Sequence, residues 1–255
     1  MIFLQIPMND DGLNPVNWED ELDSPLDELD AIEEEAAPDP EEMLRLLSSD
    51  DTSQRIVAAR AFSQIQDSRA IPHLMEALTD ICPLVRVSAA YGLGRNPSPD
   101  AVEALMTQYY QDWNGYVRKG IVWALGNCLD RRTLAPLTQG LKMDISAVRL
   151  WAASALAQMA KLDYDVMIGA IPPLIESLRQ DSVAAVRSNC AWALGQLCRE
   201  LPSNVVYATA IDALLESLVE DSDLGVREDA KAALLKVGDP RGLQMIEELE
   251  LEGLV

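Results

Sequence analysis

Six arginines, Arg55, Arg86, Arg118, Arg149, Arg187 and Arg227, recur at intervals of 31, 32, 31, 38 and 40 residues, five of them preceded by valine. A period in that range belongs to a solenoid, in which one helical pair cannot bury its own apolar face and stacks on its neighbours. Six residues after each arginine stand Ala61, Gly92, Ala124, Ala155, Ala193 and Ala233, and one further on Phe62, Leu93, Leu125, Leu156, Leu194 and Leu234. At about 100° per residue these share a helix face with Ala58, Ala89, Ile121, Ala152, Cys190 and Ala230, three residues after the arginine. That face is the expected core. Its small side chains let helices approach closely while the leucine fills the gap, so a bulky residue at Ala124 or Ala155 overpacks the stack.

A second apolar pattern precedes several arginine helices: Ile71, Leu74 and Leu78; Leu134, Leu137 and Leu141; Ile171, Leu174 and Leu178; Ile211, Leu214 and Leu218. Each reads as a short outer helix, with Pro72, Pro136, Pro172 and Pro173 expected in first turns, where a missing N–H is tolerated. Five or six residues ahead of the arginines lie Asp50, Asp80, Asp112, Asp144, Asp181 and Asp221. Beside a ladder of arginines they would tie consecutive repeats together, with each arginine held by an aspartate of its own turn. The arginines are therefore read as structural before they are read as ligands. The expected fold is all-α, an α–α superhelix of about six helical hairpins over 41–255.

The inner-helix strings VRVSAAYGLG, VRKGIVWALG, VRLWAASALA and VRSNCAWALG resemble HEAT repeats, specifically the cyanobacterial type named after phycobilisome lyases, over about residues 41–252. The resemblance implies one of three settings: paired subunits that attach or detach phycocyanobilin on phycocyanin, relatives in phycobilisome turnover, or scaffolds associated with iron–sulfur assembly factors. Some HEAT relatives are di-iron hydroxylases. Such sites draw on several His–Glu pairs, whereas this chain has one histidine, His73, which is assigned no chemistry.

Charge separates the two ends of the chain. Residues 1–40 hold thirteen acidic side chains and no lysine or arginine, a large share of the net −22. With Pro7, Pro15, Pro25, Pro38 and Pro40 they read as a disordered acidic tail. Within it Trp18, Leu22, Leu26, Leu29 and Ile32 recur every three or four residues, the pattern of an amphipathic segment that folds on a basic groove. The acidic balance disfavours nucleic acid, since phosphate contacts demand a basic face. No apolar run reaches the length of a membrane span, and MIFLQIP is short for a signal peptide and lacks a basic flank, so a cytoplasmic protein without membrane insertion is expected. Cys128 and Cys190 fall on the core side, Cys198 near a helix end and Cys82 before Pro83. None has the Cys-x-x-Cys spacing of a local metal or redox site, and Cys82 is the thiol to test.

Function is expected where the repeats differ. Five residues after the arginine come Arg60, Tyr91, Trp123, Ser154, Trp192 and Ala232, far round the helix from the core face and expected to be exposed. With Trp151 bordering them and Arg118 and Lys119 adding positive charge, Tyr91, Trp123, Trp151 and Trp192 would line an aromatic groove on the concave wall. Large aromatics that cover gaps between repeats are the structural alternative. Three functions compete. The first is a non-catalytic adaptor holding a protein partner, such as a phycobiliprotein, a second HEAT subunit or an iron–sulfur assembly protein. By resemblance alone, the second is a phycocyanobilin lyase subunit or bilin chaperone, with bilin as bound ligand and no other cofactor, and the third an accessory of iron–sulfur assembly. No pair of carboxylates is singled out as acid and base, so catalysis by the chain alone is unsupported.

Overall fold

The computed structural model describes residues 38–253, all of whose regular structure is helical. The tail positions Trp18, Leu22, Leu26 and Leu29 lie outside the described residues, as does most of the expected tail. Seven outer helices alternate with six inner ones. The outer series is α1 (Pro40–Leu46), α3 (Ala70–Ala77), α5 (Val102–Gln111), α7 (Leu134–Met143), α9 (Tyr164–Gln180), α11 (Val205–Glu220) and α13 (Pro240–Leu251). The inner series is α2 (Thr52–Ala61), α4 (Pro83–Arg95), α6 (Gly115–Asn127), α8 (Ser146–Ala157), α10 (Ala184–Glu200) and α12 (Leu224–Val237). Six pairs and one further outer helix result.

The core face is the one the register marks. Ala58, Ala89, Ile121, Ala152, Cys190 and Ala230 are buried, as are the leucine and phenylalanine four residues on. Small residues set the spacing of the inner layer. A Cβ on Gly126 would lie 3.0 Å from Ala155 Cα, and one on Gly195 would lie 3.2 Å from Ala233 Cα, so the backbones touch where glycine stands. The inner helices thus approach closely.

The ladder runs between repeats, not within them. Each arginine reaches forward to the aspartate of the next turn: Arg55–Asp80 at 2.7 Å, Arg86–Asp112 at 2.7 Å, Arg118–Asp144 at 2.6 Å, Arg149–Asp181 at 2.6 Å and Arg187–Asp221 at 2.7 Å. Its own turn supplies carbonyls and no carboxylate, as Arg86 Nη1 donates to Asp80 O and Arg118 Nη1 to Asp112 O, both at 2.9 Å. This corrects the expectation that each arginine is held by the carboxylate of its own turn. The same carboxylates also accept backbone N–H groups of their turns, Asp80 from Cys82 and Asp112 from Asn114, so one aspartate shapes a turn and pins the preceding repeat to it. Burial pushes Asp80, Asp112, Asp144 and Asp181 up, but the arginine and backbone donors outweigh it and hold all four below the ordinary carboxylate range. For Asp221 the Arg187 hydrogen bond is the leading cause of the same lowering. Arg227 ends the series. Glu252 stands 25 residues on, exposed at the end of α13, and among the described residues Arg227 Nε is buried with no partner.

The two long intervals become helix. Val166, Met167 and Ala170 are buried, so α9 begins at Tyr164 and runs 17 residues, and α10 likewise extends to Glu200. Pro172 and Pro173 consequently sit inside α9 and not in its first turn, a second correction whose cause is the apolar face added upstream. Gly238, at φ 73°, closes α12 with a left-handed cap whose N–H donates to Leu234 O.

Candidate functional site

The inner-helix aromatics occupy equivalent positions but not equivalent surroundings. Tyr91 and Trp123, on α4 and α6, lie with ring centroids 5.5 Å apart at 47°. Both are half-buried, and burial raises the Tyr91 hydroxyl above its ordinary value. Trp123 rests on Gly94 of the preceding inner helix, where any Cβ would run into its six-membered ring. It is therefore a wedge between repeats, the role in which large aromatics cover gaps. The expectation of exposure fails at these two positions because the Tyr91 and Trp123 rings pack on each other and Trp123 on Gly94, across the seam between α4 and α6.

Trp151, on α8, is also half-buried, with Lys119 Nζ 5.5 Å from its ring centroid. A cation over an indole contributes roughly 0.5–1 kcal/mol at a partly exposed site. Lys119 and Trp151 thus join α6 to α8 on the same surface. Arg118 does not belong with them. Its guanidinium turns to the outer–inner turn and is bidentate to Asp144, which fills its hydrogen-bonding edge. Arg60 is exposed at the N-terminal end of the row and distant in sequence from the other members.

Trp192, on α10, is the exposed member, at 37%. One repeat earlier, where Gly94 lies beneath Trp123, the equivalent residue is Ala157. Ala157 and Trp192 both line an open depression of about 460 Å³. Ala157, Ala160 and the Trp192 ring form the apolar part; Gln158, Gln196, Lys161 and Glu200 form a polar rim with one charge of each sign. Lys161 and Glu200 come from the stretches that lengthen the fourth and fifth repeats, so the extra residues build helix ends and one side of a recess together. The sequence marked both inserts but not this consequence.

The thiols do not contribute a site. Cys190 is buried and pushed well above the usual thiol range by burial, and burial likewise pushes Cys198 up to about 12. Cys128 is half-buried, raised by burial, with Sγ 3.7 Å from Ser98 O. Cys82 is the half-buried residue preceding α4. Among the described residues no helix is long and apolar enough to cross a membrane.

Three overlapping matches to the HEAT-repeat family, over residues 40–112, 103–195 and 171–252, cover nearly all of this architecture. The chain belongs to the HEAT-repeat family. No curated protein matches it in sequence. Solved structures share its fold. An engineered protein is 25% identical with a TM-score of 0.58, covering 78% of this chain and 98% of its own. A designed armadillo repeat protein in complex with the peptide (KR)4 is 22% identical with a TM-score of 0.57, covering 78% and 98%. The complex of CpcE and CpcF of phycocyanin lyase from Nostoc sp. PCC7120 is 22% identical with a TM-score of 0.58, covering 84% and 83%. At such identities the two natural and designed repeat structures speak for the fold.

Proposed function

We propose that this HEAT solenoid is a non-catalytic adaptor that holds a segment of a protein partner along its inner face, anchored at Trp192. The exposed indole beside a recess with an apolar floor and a polar rim carries the reading. A tryptophan with over a third of its surface free can bury further area on binding at little entropic cost, and the two glutamine amides can pair with a partner backbone. The designed armadillo protein solved with a peptide offers a fold-level precedent, an analogy of architecture and not of residues. The setting we infer is the cytoplasmic assembly of phycobilisomes or of photosynthetic cofactors, from the resemblance of the inner-helix strings. Affinity capture compared between the natural chain and Trp192→Ala tests it: a protein enriched by the first and lost by the second supports the adaptor, and identical captures refute the anchor.

A second reading, a subunit of a phycocyanobilin lyase or a bilin chaperone, is favoured by the shared fold with the CpcE–CpcF complex. With Arg118 committed to Asp144, the cations left for propionates are Lys161, Lys119 and Arg60. Incubation with phycocyanobilin separates the two. A shifted and sharpened visible band supports the bilin reading, and an unchanged spectrum supports the adaptor.

A further inference from the structure

The edge of the solenoid where outer helices turn into inner ones carries apolar side chains that neither the core nor the concave face uses. Ile81 and Leu84 occupy the second repeat's turn, Trp113 and Tyr116 the third's, Met143 and Ile145 the fourth's. All are exposed, Ile81 at 89%, Trp113 at 77% and Met143 at 81%. The fold does not require them. Equivalent turns elsewhere read Asp51, Ser182 and Ser222 directly after the ladder aspartate, at positions that are likewise exposed. An apolar residue there is a property of three consecutive repeats and not of the repeat as such.

The three turns form one surface. Arg86 ties the second turn to the third through Asp112, and Arg118 ties the third to the fourth through Asp144. A Cβ on Gly115 would lie 2.5 Å from Ile145 Cδ1, so the fourth turn rests on the backbone of the third. Taking about 150–250 Å² as the full surface of an aromatic side chain and somewhat less for an aliphatic one, the six leave on the order of 700 Å² exposed. A monomer rarely leaves a contiguous apolar patch above roughly 300–600 Å², whereas each side of a stable interface buries about 800 Å².

We propose that this ledge is the interface of a two-fold dimer of the chain. Two observations select a second copy. First, the ledge is electrically quiet in a chain of net charge −22: its six side chains are uncharged, and Asp80, Asp112 and Asp144 beside them are paired with Arg55, Arg86 and Arg118. Two equally acidic molecules meet with least repulsion where the carboxylates are already neutralised. Second, the row reads aliphatic, aromatic, aliphatic. A two-fold axis at the central turn sets Trp113 and Tyr116 against their own copies, and Ile81 and Leu84 of one chain against Met143 and Ile145 of the other, as a self-complementary interface requires.

Sedimentation velocity of the full chain, from about 1 to about 100 µM at low and high salt, tests this, because an interface of this kind makes the species distribution depend on concentration. The expected result is a monomer–dimer equilibrium that shifts toward dimer as salt screens the net charge. Trp113→Glu, which places a charge on the axis, should weaken dimerisation at least ~10-fold with an unchanged melting temperature at concentrations where both proteins are monomeric, because Trp113 packs in no core. Trp192→Ala should leave dimerisation untouched, which separates this interface from the proposed adaptor groove. A monomer at every concentration and salt overturns the proposal, as does a dimer indifferent to Trp113→Glu. Adsorption of a monomeric chain to phosphatidylcholine vesicles through Trp113 would overturn it as well, and assign the ledge to a lipid surface.

Discussion

Trp123 and Trp192 stand five residues after the repeat arginine, each followed by Ala-Leu-Gly, yet one is a wedge in the stack and the other an open ring. The difference lies one repeat upstream. Gly94 leaves room for the Trp123 ring between α4 and α6, whereas the equivalent residue before Trp192 is Ala157, and the two line a depression together. Trp123 thus serves packing, while Trp192 borders a depression open to a partner. The Arg–Asp ladder, alike from the first rung to the fifth, supplies the constant frame against which the two tryptophans can be compared.

Breaking that frame is the largest perturbation. Asp112 and Arg86 form the most deeply buried rung, and Asp112→Asn leaves the Arg86 guanidinium buried without its counter-charge, expected to cost about 3–5 kcal/mol in a denaturant titration. Acid probes the same frame. The ladder carboxylates titrate below their unfolded value of about 3.9, so their contribution is complete above that pH and falls away as the pH drops through the lowered folded values. The ladder component of stability should therefore be flat from neutral pH down to about 4 and decline below it, read by thermal melting across pH. A decline centred near pH 6 would place the sensitivity elsewhere.

Trp123→Ala acts on one side of the comparison. It removes the wedge over Gly94 and should cost about 2 kcal/mol, less than the ~3–5 of a fully buried aromatic because Trp123 is half-exposed. Gly94→Ala sharpens the point further, since it installs at the second repeat the methyl that the fourth already carries. We expect about 1–2 kcal/mol of destabilisation, with Trp123 more accessible to acrylamide quenching. Unchanged stability together with unchanged quenching would remove the glycine from the explanation.

Much of the fold was legible because the repeat states it six times: the positions three, six and seven residues after each arginine are buried as their small-and-leucine pattern demands. Which aspartate each arginine meets was not legible, because that depends on the offset between successive repeats, and sequence spacing alone points to the nearer, same-turn residue. Pro172 and Pro173 misled in the opposite way. They are compatible with a helix start, and only the buried Val166, Met167 and Ala170 show that α9 begins earlier. The aromatics were visible in the strings, but their environment is set by residues one repeat away, which a reading within each string does not compare. Trp113 and Tyr116 escaped notice because both precede Arg118, and the repeat positions compared all follow the arginine.

Trp192 keeps over a third of its surface free for a partner, while its counterpart Trp123 is wedged between repeats. This contrast is tested most directly by measuring melting temperature and partner capture on Trp192→Ala beside Trp123→Ala. Trp192→Ala should lose less stability than Trp123→Ala, about 1 kcal/mol against about 2, and should lose the captured protein. A loss of stability matching that of Trp123→Ala, or capture that survives the substitution, would contradict it.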